Sequence, residues 1–188
     1  MTPDTAKGNF FKNEKSPKTV IRLGNVNDTG SVEISDMYFT TAEVLPGAVL
    51  LEINISGANQ GDVGLWDTHF RVGGCAGSEV QTKCGGDAGS CKAAFLMLHV
   101  KPTGSVYVEN MWGWTADHDL DGGNGQTIST GRGALIETTR AAWFVGSAFE
   151  HNTLYQYNVV NARNVYFGLI QVEAPYWQPG PQTPSPWT

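Results

Sequence analysis

From Val20 onward the chain is a succession of short runs in which apolar residues alternate with polar ones or follow one another directly: TVIRLG, SVEISDMYFTT, AVLLEINIS, VGLWDTHFRVGG, AAFLMLHV, SVYVENMWGW, GALIET, AAWFVGSAFE, TLYQYNVV and VYFGLIQVE. Each is rich in Val, Ile, Phe, Tyr and Trp and is bounded by Gly, Asn, Asp, Pro or Ser, the pattern of strands separated by tight turns. No stretch sustains a helical period. The best helical candidate, residues 138–148, contains Gly146 and runs directly into strand-like sequence. The pattern predicts an all-β chain.

The runs also repeat. Aligning EISDMYF, GLWDTHF, YVENMWG and FVGSAFE sets Asp36, Asp67, Asn110 and Ser147 in register, at intervals of 31, 43 and 37 residues. A second kind of strand recurs between them in LLEINIS, AFLMLHV, ALIET and LYQYNV. Recurring strands at irregular intervals suit a solenoid, in which every coil buries aliphatics against the coil before it while loops swell freely between. The expected fold is a partial right-handed parallel β-helix, a pectate-lyase-like solenoid of about four to five coils, occupying residues 20–178. Residues 1–19 read as a poorly ordered lead-in, and 179–188, within the tail QPGPQTPSPWT, as an extended or disordered Pro-rich end. Such a tail cannot cap a sheet. Both solenoid ends are therefore expected to be open, and the chain to be a piece of something larger that self-associates or pairs with another β-helix chain.

Composition narrows the picture. A chain of 188 residues fits one core, and 16% charged residues with 23 glycines favour strands and turns over surface helices. A net charge of −6 and a pI near 5.1 argue against a phosphate-tracking surface, so nucleic acid is not an expected partner. No apolar run reaches the ~18–20 residues that span a bilayer, and residues 1–20 lack the apolar centre of a signal peptide. Cys75, Cys84 and Cys91 share one Gly-rich loop. A disulfide closing part of it is expected, its pairing open, while three thiols without an obvious fourth ligand make a poor zinc site. The loop DHDLDGG begins like a calcium loop with Asp117, Asp119 and Asp121, but its twelfth position is Ile128. Neither a metal nor a cofactor is expected.

The chemistry concentrates in residues 141–178. Glu150 and Glu173 end two similar runs, WFVGSAFE and VYFGLIQVE. The shared glycines Gly146 and Gly168 are 22 residues apart and the glutamates 23. Residues one coil apart become neighbours at the ~4.8 Å strand spacing, yet a one-residue lag turns one side chain to the other face unless a bulge or corner corrects it. Two close carboxylates among Trp143, Tyr155, Tyr176 and Trp177 suit acid/base chemistry on a neutral sugar. The plain alternative is two solvated surface glutamates.

The run NMWGWTADHDLD, followed by GRGALIE, FEHNTLYQY and NVYFGLIQVEAPYWQP, resembles the fungal β-1,3-glucanases of glycoside hydrolase family 55, exo-acting laminarinases built from two tandem β-helices. The resemblance covers roughly residues 100–180 and implies inverting hydrolysis of β-1,3-glucan outside the cell, as a glucan β-1,3-glucosidase. It makes Glu173 the general acid and Glu150 the residue that positions or activates water. Inversion then requires the carboxyls about 6.5–9.5 Å apart. Gln171 and His151 adjoin the glutamates and are candidates to orient sugar. Asp119 or His118 would serve a substrate-facing loop, and otherwise lie on an acidic surface turn. Trp114, Tyr155, Tyr176 and Trp177 are candidate stacking platforms, of which at most two are expected to face sugar. Members of the family are several times longer, so half of their cleft is expected to be missing here. The alternative is a noncatalytic β-helix subunit that binds glucan or assembles with partner chains.

Overall fold

The computed structural model describes residues 4–80, 84, 86–120 and 122–188. The chain is all-β, and among the described residues every pairing between strands is parallel. Strands β2 (Lys18–Leu23), β5 (Leu45–Ile53), β8 (Lys92–Val100), β11 (Ser129–Ile136) and β13 (Asn152–Val159) hydrogen-bond in chain order into a five-stranded sheet. A second sheet has two arms. One runs through β3 (Val32–Ser35), β6 (Val63–Trp66) and β9 (Val106–Glu109). The other runs through β1 (Asp4–Ala6), β4 (Tyr38–Thr41), β7 (His69–Val72) and β10 (Trp112–Thr115). The arms meet on the two halves of β12 (Ala142–Glu150), and β14 (Val165–Glu173) pairs along β12 beyond them.

Because each strand lies beside its counterpart from the previous repeat, like positions stack in rows. On the inner side these rows are apolar: Leu51, Leu98 and Ala134 in the first sheet, Ile34, Leu65, Val108, Phe144 and Phe167 in one arm of the second. The other arm carries Phe39, Phe70, Gly113, Phe149 and Val172. Gly113 falls in this row because Phe149 needs the room: a Cβ on Gly113 would lie 2.2 Å from its ring. Phe70, Phe144 and Phe149 are fully buried, each contributing roughly 1.5–3 kcal/mol of apolar burial.

The corner between the arms is made by single left-handed residues, Asp36 (φ 55°), Asp67 (φ 49°), Asn110 (φ 53°), Gly146 (φ 59°) and Leu169 (φ 57°). Asp and Asn tolerate this conformation better than other side chains, and the Asn110 amide donates to Asp67. The register corrects the sequence alignment by one residue: the fourth corner is Gly146, not Ser147. Gly168 pairs with Val145 rather than with Gly146, and the offset is 23 residues along the whole of β12 and β14. Left-handed corners have no fixed identity, so matching glycine to glycine misplaced the step.

The ends of the chain also differ from expectation. Before residue 20 lie β1, a 3₁₀ turn at Asn9–Phe11 and the start of β2. The Pro-rich tail, instead of being extended or disordered, turns back so that Trp187 is buried against Phe95. Its indole Nε1 donates to Ser129 Oγ at 3.2 Å. Cys84 and Cys91 form the loop disulfide and Cys75 is the remaining thiol, 2.6 Å from the Arg71 guanidinium.

Candidate active site

Glu150 closes β12 and Glu173 closes β14, and the two face each other in register. The row continues to Trp114 on β10 and Arg71 on β7. Glu150 is 7% exposed. One of its oxygens accepts from Gln171 Nε2 at 2.5 Å and the other from Trp112 Nε1 at 3.0 Å, so it is clamped by the strands on both sides. Glu173 is open, its side chain 39% exposed. The Tyr176 hydroxyl hydrogen-bonds to it, and holding that proton against a carboxylate raises the tyrosine above its ordinary range.

His151 follows Glu150 directly, and strand alternation would send it to the opposite face. A left-handed backbone at this residue, φ 61°, turns the chain from β12 into β13 and returns the imidazole to the carboxylates. The ring is 5% exposed and packs on Tyr176 with centroids 4.8 Å apart. Nδ1 lies 3.0 Å from the Thr115 carbonyl oxygen. A carbonyl only accepts, so Nδ1 carries the hydrogen. Nε2 lies 3.8 Å from Glu173 Oε2 and has no hydrogen-bond partner. Glu150, His151 and Glu173 each place one donor atom within 4.8 Å of the other two.

Beside this cluster a cavity of about 310 Å³ is lined by Asp117, Gln126, His151, Tyr176 and Trp177 among others. His151 is the wall shared between cavity and carboxylates. Asp117 Oδ1 lies 3.0 Å from His118 Nδ1 and 3.8 Å from His151 Nδ1. Gln126 Oε1 accepts from the Gly74 amide at 3.0 Å, and Trp177 Nε1 donates to the Ile128 carbonyl at 3.2 Å, which ties the tail to the loop before β11.

The structure therefore gathers Glu150, Glu173, Gln171, His151, Tyr176 and Trp177. It does not place Trp114 as a platform. Trp114 is 2% exposed, stacked on Trp112 at 4.8 Å with the edge of His118 at 5.1 Å, and has no face to offer a sugar. Tyr155 belongs to the other sheet, in register with Arg132. Asp119 is buried in its own turn, where its amide bonds the Asn124 carbonyl and a Cβ on Gly122 would lie 3.1 Å from its carboxylate. Trp112 and Gln126 were not anticipated, and Asp117, read from the sequence only as a position of a calcium-like loop, lines the cavity. The signal for Trp112 was present in Trp-Gly-Trp, since residues two apart share a strand face.

No protein-family model matches the chain. Among curated proteins, it is 45% identical over 188 residues to a non-secreted LysM effector, LysM15, of Penicillium expansum, covering 96% of this chain and 13% of that protein. It is 44% identical to a probable glucan endo-1,3-beta-glucosidase of Arthroderma benhamiae, covering 97% of this chain and 22% of that protein. With a glucan 1,3-beta-glucosidase of Cochliobolus carbonum the identity is 38%, over 96% of this chain and 24% of that protein. The chain spans a quarter or less of the length of these relatives.

Proposed function

We propose that this chain is a segment of a β-1,3-glucan hydrolase of the glycoside hydrolase family 55 type, folded as a right-handed parallel β-helix of four to five coils. Its carboxylates would cleave the glycosidic bond with inversion. The observation that carries the reading is the unequal pair, one clamped glutamate and one open glutamate, facing each other across neighbouring strands. A relative named a probable glucan endo-1,3-beta-glucosidase at 44% identity and one named a glucan 1,3-beta-glucosidase at 38% support the substrate class.

In this proposal Glu173, reachable from solvent, protonates the leaving glycosidic oxygen, with Tyr176 fixing its orientation. Glu150 holds the attacking water. Its nearest oxygen lies within 4.8 Å of Glu173, less than the ~6.5–9.5 Å between the carboxyls of inverting pairs, so inversion requires the open Glu173 side chain to swing away from Glu150 and admit the water between them. Tyr176 and Trp177, on the cavity wall, are the aromatics positioned to meet sugar. Extracellular action follows only for a secreted parent chain, and one relative is named non-secreted.

The test is glucose release from laminarin by the full-length parent, with the product anomer followed by NMR. Glu173→Gln should lower kcat by about 10²–10⁴-fold, the usual contribution of a positioned acid, and the first product should be the α-anomer. An unimpaired variant or an initial β-anomer overturns the assignment. A second reading, a noncatalytic glucan-binding or assembly subunit, is favoured by the exposed Tyr166, Ile170 and Val172 on β14, a surface suited to covering by a further coil or another β-helix chain. It predicts laminarin binding without release.

A further inference from the structure

We infer that Glu150, His151 and Glu173 form a binding site for a divalent transition-metal ion such as Zn²⁺. The proximity of two carboxylates would not by itself justify this. The independent observation is the orphaned His151 Nε2: it belongs to a side chain only 6% exposed, lacks any hydrogen-bond partner and stands 3.8 Å from Glu173 Oε2. With Nδ1 donating to the Thr115 carbonyl, the neutral tautomer turns its Nε2 lone pair toward the carboxylates. A buried lone pair facing two carboxylates calls for a positive species at their centre.

The geometry is close to what such an ion requires. Donor atoms bound at ~2.0–2.1 Å around a tetrahedral ion stand roughly 3.4 Å apart; the three donor atoms here lie within 4.8 Å of one another, and rotation of the open Glu173 side chain, now 3.8 Å from His151 Nε2, is the movement that draws them in. Three protein ligands leave a fourth position on the solvent side for water. Each ligand already has the outer partner that metal ligands require. The His151 Nδ1–H bonds a backbone carbonyl, Trp112 and Gln171 bond Glu150, and Tyr176 bonds Glu173. An imidazole among so few oxygens disfavours Ca²⁺, which takes 6–8 oxygen ligands, and Mg²⁺, which prefers carboxylates and water.

This site is independent of the glucan reading, because its occupancy is read without any sugar. Where the same carboxylates do act on a glycosidic bond, ion and sugar compete. The experiment is a calorimetric titration of the chelator-stripped full chain with ZnSO₄, paired with X-ray absorption of the loaded protein. One ion per chain is expected, with one nitrogen and otherwise oxygen ligands. Losing an outer partner in Trp112→Phe should weaken binding about 10–100-fold, and losing a ligand in His151→Gln at least as much. His99→Gln, which alters a histidine of the other sheet paired with Glu137, should leave the affinity unchanged. Undiminished binding in a folded His151→Gln variant, no ion retained by the folded wild type, or sulfur in the absorption spectrum, which would indicate Cys75, each overturns the site. If His151→Gln does not fold, the absorption spectrum of the wild type decides alone.

Discussion

Trp112 Nε1 donates to Glu150 Oε2 at 3.0 Å from the strand preceding β12 in the sheet, while Gln171 reaches the other oxygen from the strand that follows. Trp112 is itself braced, its ring stacked on the buried Trp114 at 4.8 Å and 17°. The position of Glu150 therefore depends on three successive strands, and its carboxylate has no oxygen left without an N–H donor.

Trp112→Phe keeps the ring stack and removes the donor. A hydrogen bond to a charged group contributes about 1.5–3 kcal/mol, so kcat on laminarin should fall tenfold or more if that interaction serves the transition state, with a small change in Tm. Steady-state kinetics and a thermal melt check both. Unchanged kcat in a folded variant removes Trp112 from the machinery.

Gly113→Ala tests the packing beneath the carboxylates. The new methyl would stand 2.2 Å from the Phe149 ring. Overpacking of this kind costs about 1–3 kcal/mol, and because Phe149 immediately precedes Glu150, activity should fall along with stability. Urea denaturation of both proteins measures the loss.

Leu169 occupies the left-handed corner that Asp, Asn or Gly fills in the other repeats, and it is 88% exposed, so it has little packing to lose. A β-carbon in this conformation costs roughly 1–2 kcal/mol, less for Asn. Leu169→Asn should therefore raise Tm, and a lowered Tm would contradict the corner conformation.

The acid limb of stability should involve Glu52. Burial favours its neutral form, but hydrogen bonds from Asn54, Thr19 and Arg22 and the Arg22 charge outweigh it, and the carboxyl lies below its ordinary range. A folded-state pKa below the unfolded one gives stability that is present above about pH 4.3 and lost as pH falls through the folded value. Glu52→Gln should be less stable at neutral pH and should lose less on acidification. Denaturation across pH 2.5–7 checks the slope. Arg22 is largely exposed, so its share should shrink with added salt.

The strands were legible because alternation and apolar runs are local: β8 and β13 coincide to within a residue with runs read directly from the chain, while β5 and β11 begin three and four residues before theirs. So was the pairing of the two glutamates, whose 23-residue separation is the true register of β12 on β14. The glycine alignment suggested a lag that does not exist, because the corner accepts Asp, Asn, Gly or Leu and carries no single-residue signature.

What the sequence by itself determined is which residues form strands, that equivalent strands recur, and that Glu150 and Glu173 come from matching places in two of them. Only the tertiary structure decided which outward side chains stay accessible. Trp112 and Trp114 share a strand face, yet His118 and the loop after β10 cover one and leave the other beside Glu150. The tail returns because Trp187 finds a buried seat against Phe95 and Ser129. His151 joins the carboxylates through a backbone turn that alternation forbids. Periodicity is a property of neighbours along the chain, whereas coverage and corners are set by residues distant in sequence that meet only when the strands stack.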